Sequence, residues 1–187
     1  NNNLNIQEFL IIPHGAPSFT EALRMGAETY HALSRILAKY GKSTGTGDEG
    51  GFASDFRDQE EVLDFLLMAI RSAGYQPGKE ISIGLDIAAN QFYSKGAYQF
   101  HGSDYKYTAN ELIDIYELMC DKYPIISIED GLAEDDWQGW IDMTKSLSVW
   151  VTNMSSPISC ILPDSLLVMS IQPFHSSPAS PSPIESS

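Results

Sequence analysis

The chemistry this chain offers is carried by carboxylates at places where the backbone is either unusually free or unusually apolar. GDEGGF (47–52) sets Asp48 and Glu49 side by side inside a cage of glycines. Glycines on both sides of an acid let the chain turn sharply or let the backbone come close to a ligand. Asp86 follows the apolar run ISIGL, and Glu129 follows IISI. A carboxylate that emerges from a buried strand is costly unless a cation or a hydrogen-bond donor meets it. Where parallel strands close into a barrel, the reactive groups gather at the C-terminal strand ends. Two such acids can share one Mg²⁺, a hard cation that prefers oxygen. The plainer alternative is that each acid pairs with Lys or Arg, or caps the helix that follows. Two strands with the same ending bring the cation level with that alternative. On spacing alone Asp130, next to Glu129, serves as well. DGLAEDD (130–136) lacks the alternating acids and terminal Glu of an EF-hand loop.

The elements that must hold these acids can be read from periodicity. NIQEFLIIP (5–13) is a short strand, stopped by proline, whose polar start faces a site. Ser18 and Glu21 have capping-box spacing, and Leu23, Ala27, Tyr30, Leu33 and Leu37 recur at helical intervals up to Tyr40-Gly41. Asp58 caps a second helix with Val62, Phe65, Leu66, Ala69 and Ile70 on its apolar face. ISIGLDIAA (81–89) and PIISIED (124–130) are buried strands. Between them come a hairpin turning at Lys95-Gly96 and a helix opened by Thr108 and Glu111. EDDWQGWIDMTKSL (134–147) is a further helix. Strand and helix alternate, which gives an α/β class with parallel strands.

Composition narrows the function. A formal net charge of -14 repels nucleic acid and anionic membrane surfaces, yet suits a site for divalent cations. Cys120 and Cys160 form no disulfide framework and no metal-ligand spacing, which favours a reducing compartment. Cys120 falls on a helix as a small apolar residue. No apolar run spans a bilayer. The opening Asn1-Asn2-Asn3 reads as a fragment of something longer. After Ser146 only Asp164 and Glu185 carry charge, and HSSPASPSPIESS (175–187) has the composition of a disordered tail. The expected division is therefore 1–147 and a divergent, irregular 148–187. CILPDSLLVMSI (160–171) is apolar with no evident helix or strand partner, and is a candidate cover for an opening in the fold.

QEF, GAPSFTEALRMGAETYH, GDEGGF, IGLDIAA and YPIISIEDGLAEDDW occur in an order and at distances that resemble bacterial-type enolase (phosphopyruvate hydratase). The resemblance covers residues 1 to about 147. It implies roughly the first half of a TIM-like (β/α) barrel that begins ββαα, a homodimer in the intact family, and a cytoplasmic setting, with relatives also found at the cell surface or secreted. The implied reaction is the Mg²⁺-dependent dehydration of 2-phosphoglycerate to phosphoenolpyruvate in glycolysis. Glu49 would be the general acid beside the departing hydroxyl, and Glu8 would assist the same acid or the water. Gln7, with Glu8 and Glu49, would bind substrate. Asp86 and Glu129 would be two of three carboxylates on the catalytic Mg²⁺, with a second Mg²⁺ on the phosphate.

The departures from the family pattern are as informative. A histidine-containing segment resembling GGAHA is expected upstream of Asn1. His14 is not its equivalent, and is expected in a loop near the site mouth. His31 should pack or cap in the first helix, and His101 has no obvious partner. SLSVWVTNMSS stands where the family carries GDDL-VTN, so the third ligand is missing. The base lysine and the His-Arg-Ser grip are also missing. Lys145 is not the base, and His175 is followed by Ser-Ser. The chain alone is then expected not to turn over 2-phosphoglycerate. The competing reading is a non-catalytic, enolase-derived binding or interaction module. A weaker one is a different metal-dependent enzyme of the same superfamily.

Overall fold

The computed structural model describes residues 5–47, 50–153 and, for the backbone alone, 169–172. The first strand, β1 (Glu8–Ile12), leads through His14-Gly15 into α1 (Phe19–Lys39). Ser18, in extended backbone, accepts from the Glu21 N–H at 3.3 Å and starts the helix. The capping box expected here forms only by half. Arg24 draws the Glu21 carboxylate away at 2.7 Å and also holds Glu28 at 2.8 Å. A guanidinium fork gives charge-assisted bonds that an exposed backbone N–H does not match. The buried stripe of α1 runs through Ala22, Met25, Gly26, Thr29, Ala32, Leu33 and Leu37. Leu23, expected in that stripe, is instead 44% exposed, one position beyond its edge.

A two-residue strand, β2 (Phe52–Ala53), separates α1 from α2 (Gln59–Ser72). The latter behaves as its sequence predicts. Asp58 accepts from the Glu61 N–H at 2.8 Å, and Val62, Phe65, Leu66, Ala69 and Ile70 are buried. Then follow β3 (Ser82–Asp86), a 3₁₀ turn (Ala89–Phe92), and the hairpin of β4 (Tyr93–Ser94) and β5 (Ala97–Tyr98). Its two-residue turn places Lys95 and Gly96 at φ 52° and 80°, the positive pair a tight hairpin needs. Thr108 and Glu111 make a complete capping box for α3 (Ala109–Lys122). After β6 (Ile125–Glu129) comes α4 (Trp137–Ser146), capped by Asp136. It begins three residues later than its composition suggested, because Ala133 is held from both sides. Its N–H donates to Tyr98 Oη at 3.0 Å, and its carbonyl accepts from the Trp140 indole at 2.9 Å.

Two last strands, β7 (Trp150–Thr152) and β8 (Met169–Gln172), lie where charge composition alone predicted irregular chain. Backbone pairing with a neighbouring strand needs no charge, which is why composition did not reveal them. The end of the 160–171 run thus has partners after all, in β1 and β2. The rest of that run, and the tail 175–187, lie outside the described residues.

The sheet order is β2-β8-β1-β3-β6-β7. Strands β3, β6 and β7 are mutually parallel, whereas β1 runs antiparallel to both β3 and β8. The parallel strands read from strand-helix alternation thus have an exception at β1, at the opening where the resemblance implies ββαα and not strict βα order. One helix between strands returns the chain to the starting end. Two successive helices, α1 and α2, deliver it where β1 left off, so Ile12 faces Ser82. Phe9, Ile11, Ile83, Leu85 and Ile128 join the helix side chains in one core. Leu10, Ile12, Ser82, Gly84 and Ser127 alternate with them and are also buried. Among the described residues the sheet is open, with β2 and β7 at its edges.

Candidate functional site

The sheet register brings together three of the acids singled out by sequence. Glu8 faces Asp86 across β1 and β3, Asp86 faces Glu129 across β3 and β6, and Glu129 faces Thr152 across β6 and β7. Directly opposed residues share a face of the sheet, and adjacent strands stand only about 4.8 Å apart. The alignment depends on an irregularity. Ile83 pairs with Ile125, but the next pair is Gly84 with Ser127, so Ile126 is an extra residue in β6. Without this bulge Asp86 would meet Ile128, whose side chain belongs to the core. One inserted residue thus sets Glu129 beside Asp86. In this register Glu129, and not Asp130, stands opposite Asp86.

The row is electrostatically uncomfortable. Glu8 is 9% exposed, and Asp86 and Glu129 are half-buried. Burial, and then the charges of Asp86 and Asp130, push the Glu129 carboxyl above the ordinary glutamate value. The ion pairs described for lysines lie elsewhere, with Lys42 on Glu61, Lys122 on Glu60 and Lys145 on Asp142. Gln7 spans the site mouth. Its amide nitrogen donates to Asp86 Oδ2 at 3.4 Å, and its carbonyl accepts from Gln91 Nε2 at 2.6 Å. A small cleft lined by Asn5, Gln7, Gln91, Phe92 and His101 opens beside it. The backbone N–H of His101 donates to Asn5 Oδ1 at 3.1 Å.

Two buried hydroxyls beside the row, Ser127 Oγ and Thr152 Oγ1, have no hydrogen-bond partner. A buried polar group left in that state costs about 1–3 kcal/mol. Among the described residues no three His, Cys, Asp or Glu side chains form a metal-binding group. The donors to be tested against a cation are therefore two neighbouring carboxylates and a nearby neutral oxygen. Mg²⁺ fits that set, because it commonly takes one or two carboxylates and completes its shell with water and substrate oxygens.

The loops leaving the strand ends are strained and firmly held. Ala88 and Asp130, each just beyond a row carboxylate, adopt φ 51° and 47°. Left-handed backbone at a residue with a side chain costs on the order of 1–3 kcal/mol and persists only where the surroundings enforce it. Here they do. Ile87 N–H donates to Glu129 O, Ala89 N–H to Asp130 O, and Asp130 N–H to Thr152 O, each at 2.9 Å. Tyr116 Oη donates to Gly131 O at 2.9 Å, and Tyr98 Oη donates to Asp136 Oδ2 at 2.8 Å. Burial raises both phenols well above the ordinary tyrosine value, so they remain donors at any physiological pH.

The other sequence candidates distribute unevenly. Asp48 and Glu49 lie outside the described residues. On their flanks, Gly47 N–H donates to Gly51 O at 2.9 Å and Gly50 N–H to Gly47 O at 3.1 Å. Gly50 has φ 86°, which explains the glycine there. His14 is not near the site mouth. Its Nε2 is 2.9 Å from Ser82 Oγ, at the end of β3 opposite Asp86, because β1 runs antiparallel. His31 is exposed, and the half-buried Cys120 thiol is pushed up to about 11 by burial. Sequence reasoning missed Gln91, Tyr98, Tyr116 and Thr152, whose partners are all distant along the chain.

The model of the family described as "Enolase, C-terminal TIM barrel domain" matches residues 1–155 of this chain.

Proposed function

Because the chain belongs to the enolase C-terminal TIM barrel family, of which it carries part of the domain, we propose that its carboxylate row belongs to a Mg²⁺-dependent dehydration of 2-phospho-D-glycerate to phosphoenolpyruvate. The observation that supports this most is the register that sets Asp86 beside Glu129 at the strand ends. The enolase family uses Mg²⁺, and Asp86 and Glu129 would hold it here. When bound, such an ion stabilises the negative charge that develops when the carbon next to a carboxylate loses its proton. Gln7 would orient both Asp86 and a substrate polar group in this reading; its amide bridges Asp86 and Gln91. Glu8 lies one strand over, buried in the same row, where it would assist proton transfer. Glu49, in the glycine-bounded loop, is the general acid for the departing hydroxyl in this reading. A cytoplasmic setting follows from the same assignment. Among the described residues no helix is long and apolar enough to cross a membrane.

The elimination also needs a base, and no lysine or arginine follows Lys145 in these 187 residues. The chain by itself is therefore proposed to bind Mg²⁺ and 2-phosphoglycerate without completing the reaction. The open sheet edges favour one further reading, a non-catalytic interaction module built on the enolase fold. Following phosphoenolpyruvate absorbance with purified protein, excess Mg²⁺ and 2-phosphoglycerate, alongside tryptophan fluorescence for ligand binding, separates the two. Mg²⁺-dependent binding that Gln7→Ala weakens, with no turnover, supports the acid-side assignment. Binding that ignores Mg²⁺, or none, supports the interaction module. Turnover abolished by Glu49→Gln would show that the base does reside in these residues.

A further inference from the structure

The row that begins with Glu8, Asp86 and Glu129 does not end there. Its fourth member is Thr152, directly opposite Glu129 in the parallel pairing of β6 and β7. Thr152 is 4% exposed, and its Oγ1 is buried without a hydrogen-bond partner. Its place is fixed from both sides, because its own carbonyl accepts from Asp130 N–H at 2.9 Å. A valine would fill the same volume on this strand and leave no polar atom unpaired. Thr152 shares a face of the sheet with Glu129, directly opposite it. A hydroxyl at this position offers lone pairs to a cation shared with Glu129 without adding charge.

We propose that Thr152 Oγ1 is an oxygen donor to a divalent cation held by Asp86 and Glu129, either directly or through one bound water. The inference rests on the reading of those two acids as the cation's carboxylates. Of the other two buried, unpaired hydroxyls, Ser127 Oγ lies one rung deeper, opposite Gly84, and Ser54 Oγ follows β2; neither is part of the row.

Titration of the full 187-residue chain with Mn²⁺, read by electron paramagnetic resonance, tests this without any turnover. Thr152→Val should weaken Mn²⁺ by about tenfold, the low end of what loss of a supporting oxygen costs a metal site. Thr152→Ser, which keeps the hydroxyl, should bind as the parent does. A second readout is the urea midpoint. Metal-free Thr152→Val should unfold later than the parent, since the orphan hydroxyl is gone, and should gain less from added Mn²⁺. If Glu129→Gln loses Mn²⁺ while Thr152→Val keeps it, the role of Thr152 is overturned and the carboxylate reading stands. Equal weakening by Val and Ser would also overturn it, by pointing to packing. If the parent binds no Mn²⁺, the carboxylate reading fails, and the inference with it.

Discussion

At the scale of single residues, the tension in the site sits on Glu129. Its carboxyl titrates above the ordinary glutamate value of 4.5, first because it is buried and then because Asp86 and Asp130 are close. A raised folded-state value means that the protonated form suits the fold. The corresponding stability is present at low pH and is lost as pH rises through the folded value. Glu129→Gln should therefore leave the urea midpoint of the metal-free chain nearly unchanged at low pH and raise it at pH 8. Saturating Mg²⁺ should reverse the order at pH 8. A destabilised Gln variant at pH 8 in chelator would mean that some other donor already compensates Glu129. Tyr98 offers a second case. Its hydroxyl accepts from the buried Ala133 N–H and donates to Asp136, so Tyr98→Phe strands both. We expect a loss of about 1–3 kcal/mol by equilibrium urea unfolding. No change would show that the loop before α4 repacks without this tether.

Among the secondary-structure elements, helix positions were the most legible in the sequence. Ser18, Asp58 and Thr108 cap as their spacing predicts, because a cap is a contact between residues three apart. What escaped was set by competing partners or by partners far along the chain. Glu21 has the spacing for a reciprocal cap but turns to Arg24, and nothing in S-x-x-E spacing reports that competition. The direction of β1 is not carried by strand-helix alternation, which says nothing about how many helices separate two paired strands. The bulge at Ile126 was equally hidden. IISIE reads as an unbroken apolar strand, and only pairing with β3 shows the extra residue that brings Glu129 beside Asp86. The identities of the acids were thus readable from strand-end position, while their alignment was a property of the sheet.

For the whole molecule, the sheet of the described residues is an open arc, and this has a consequence for association. β7 is an edge strand, and Trp150 on it is 45% exposed. Unpaired edges are templates for another chain. Sedimentation velocity should show concentration-dependent self-association that Trp150→Lys reduces. A monomer at all concentrations would mean that this edge is covered in solution. Beyond the division near residue 147 drawn from composition, β7 joins the sheet, and the family match runs to residue 155. The account as a whole turns on whether the aligned strand ends make a cation site. The most direct measurement is calorimetric titration of Mg²⁺ into the full chain and into its Asp86→Asn and Glu129→Gln variants. The account predicts binding in the parent and at least about tenfold weaker binding in each variant. Equal affinity in all three would contradict it.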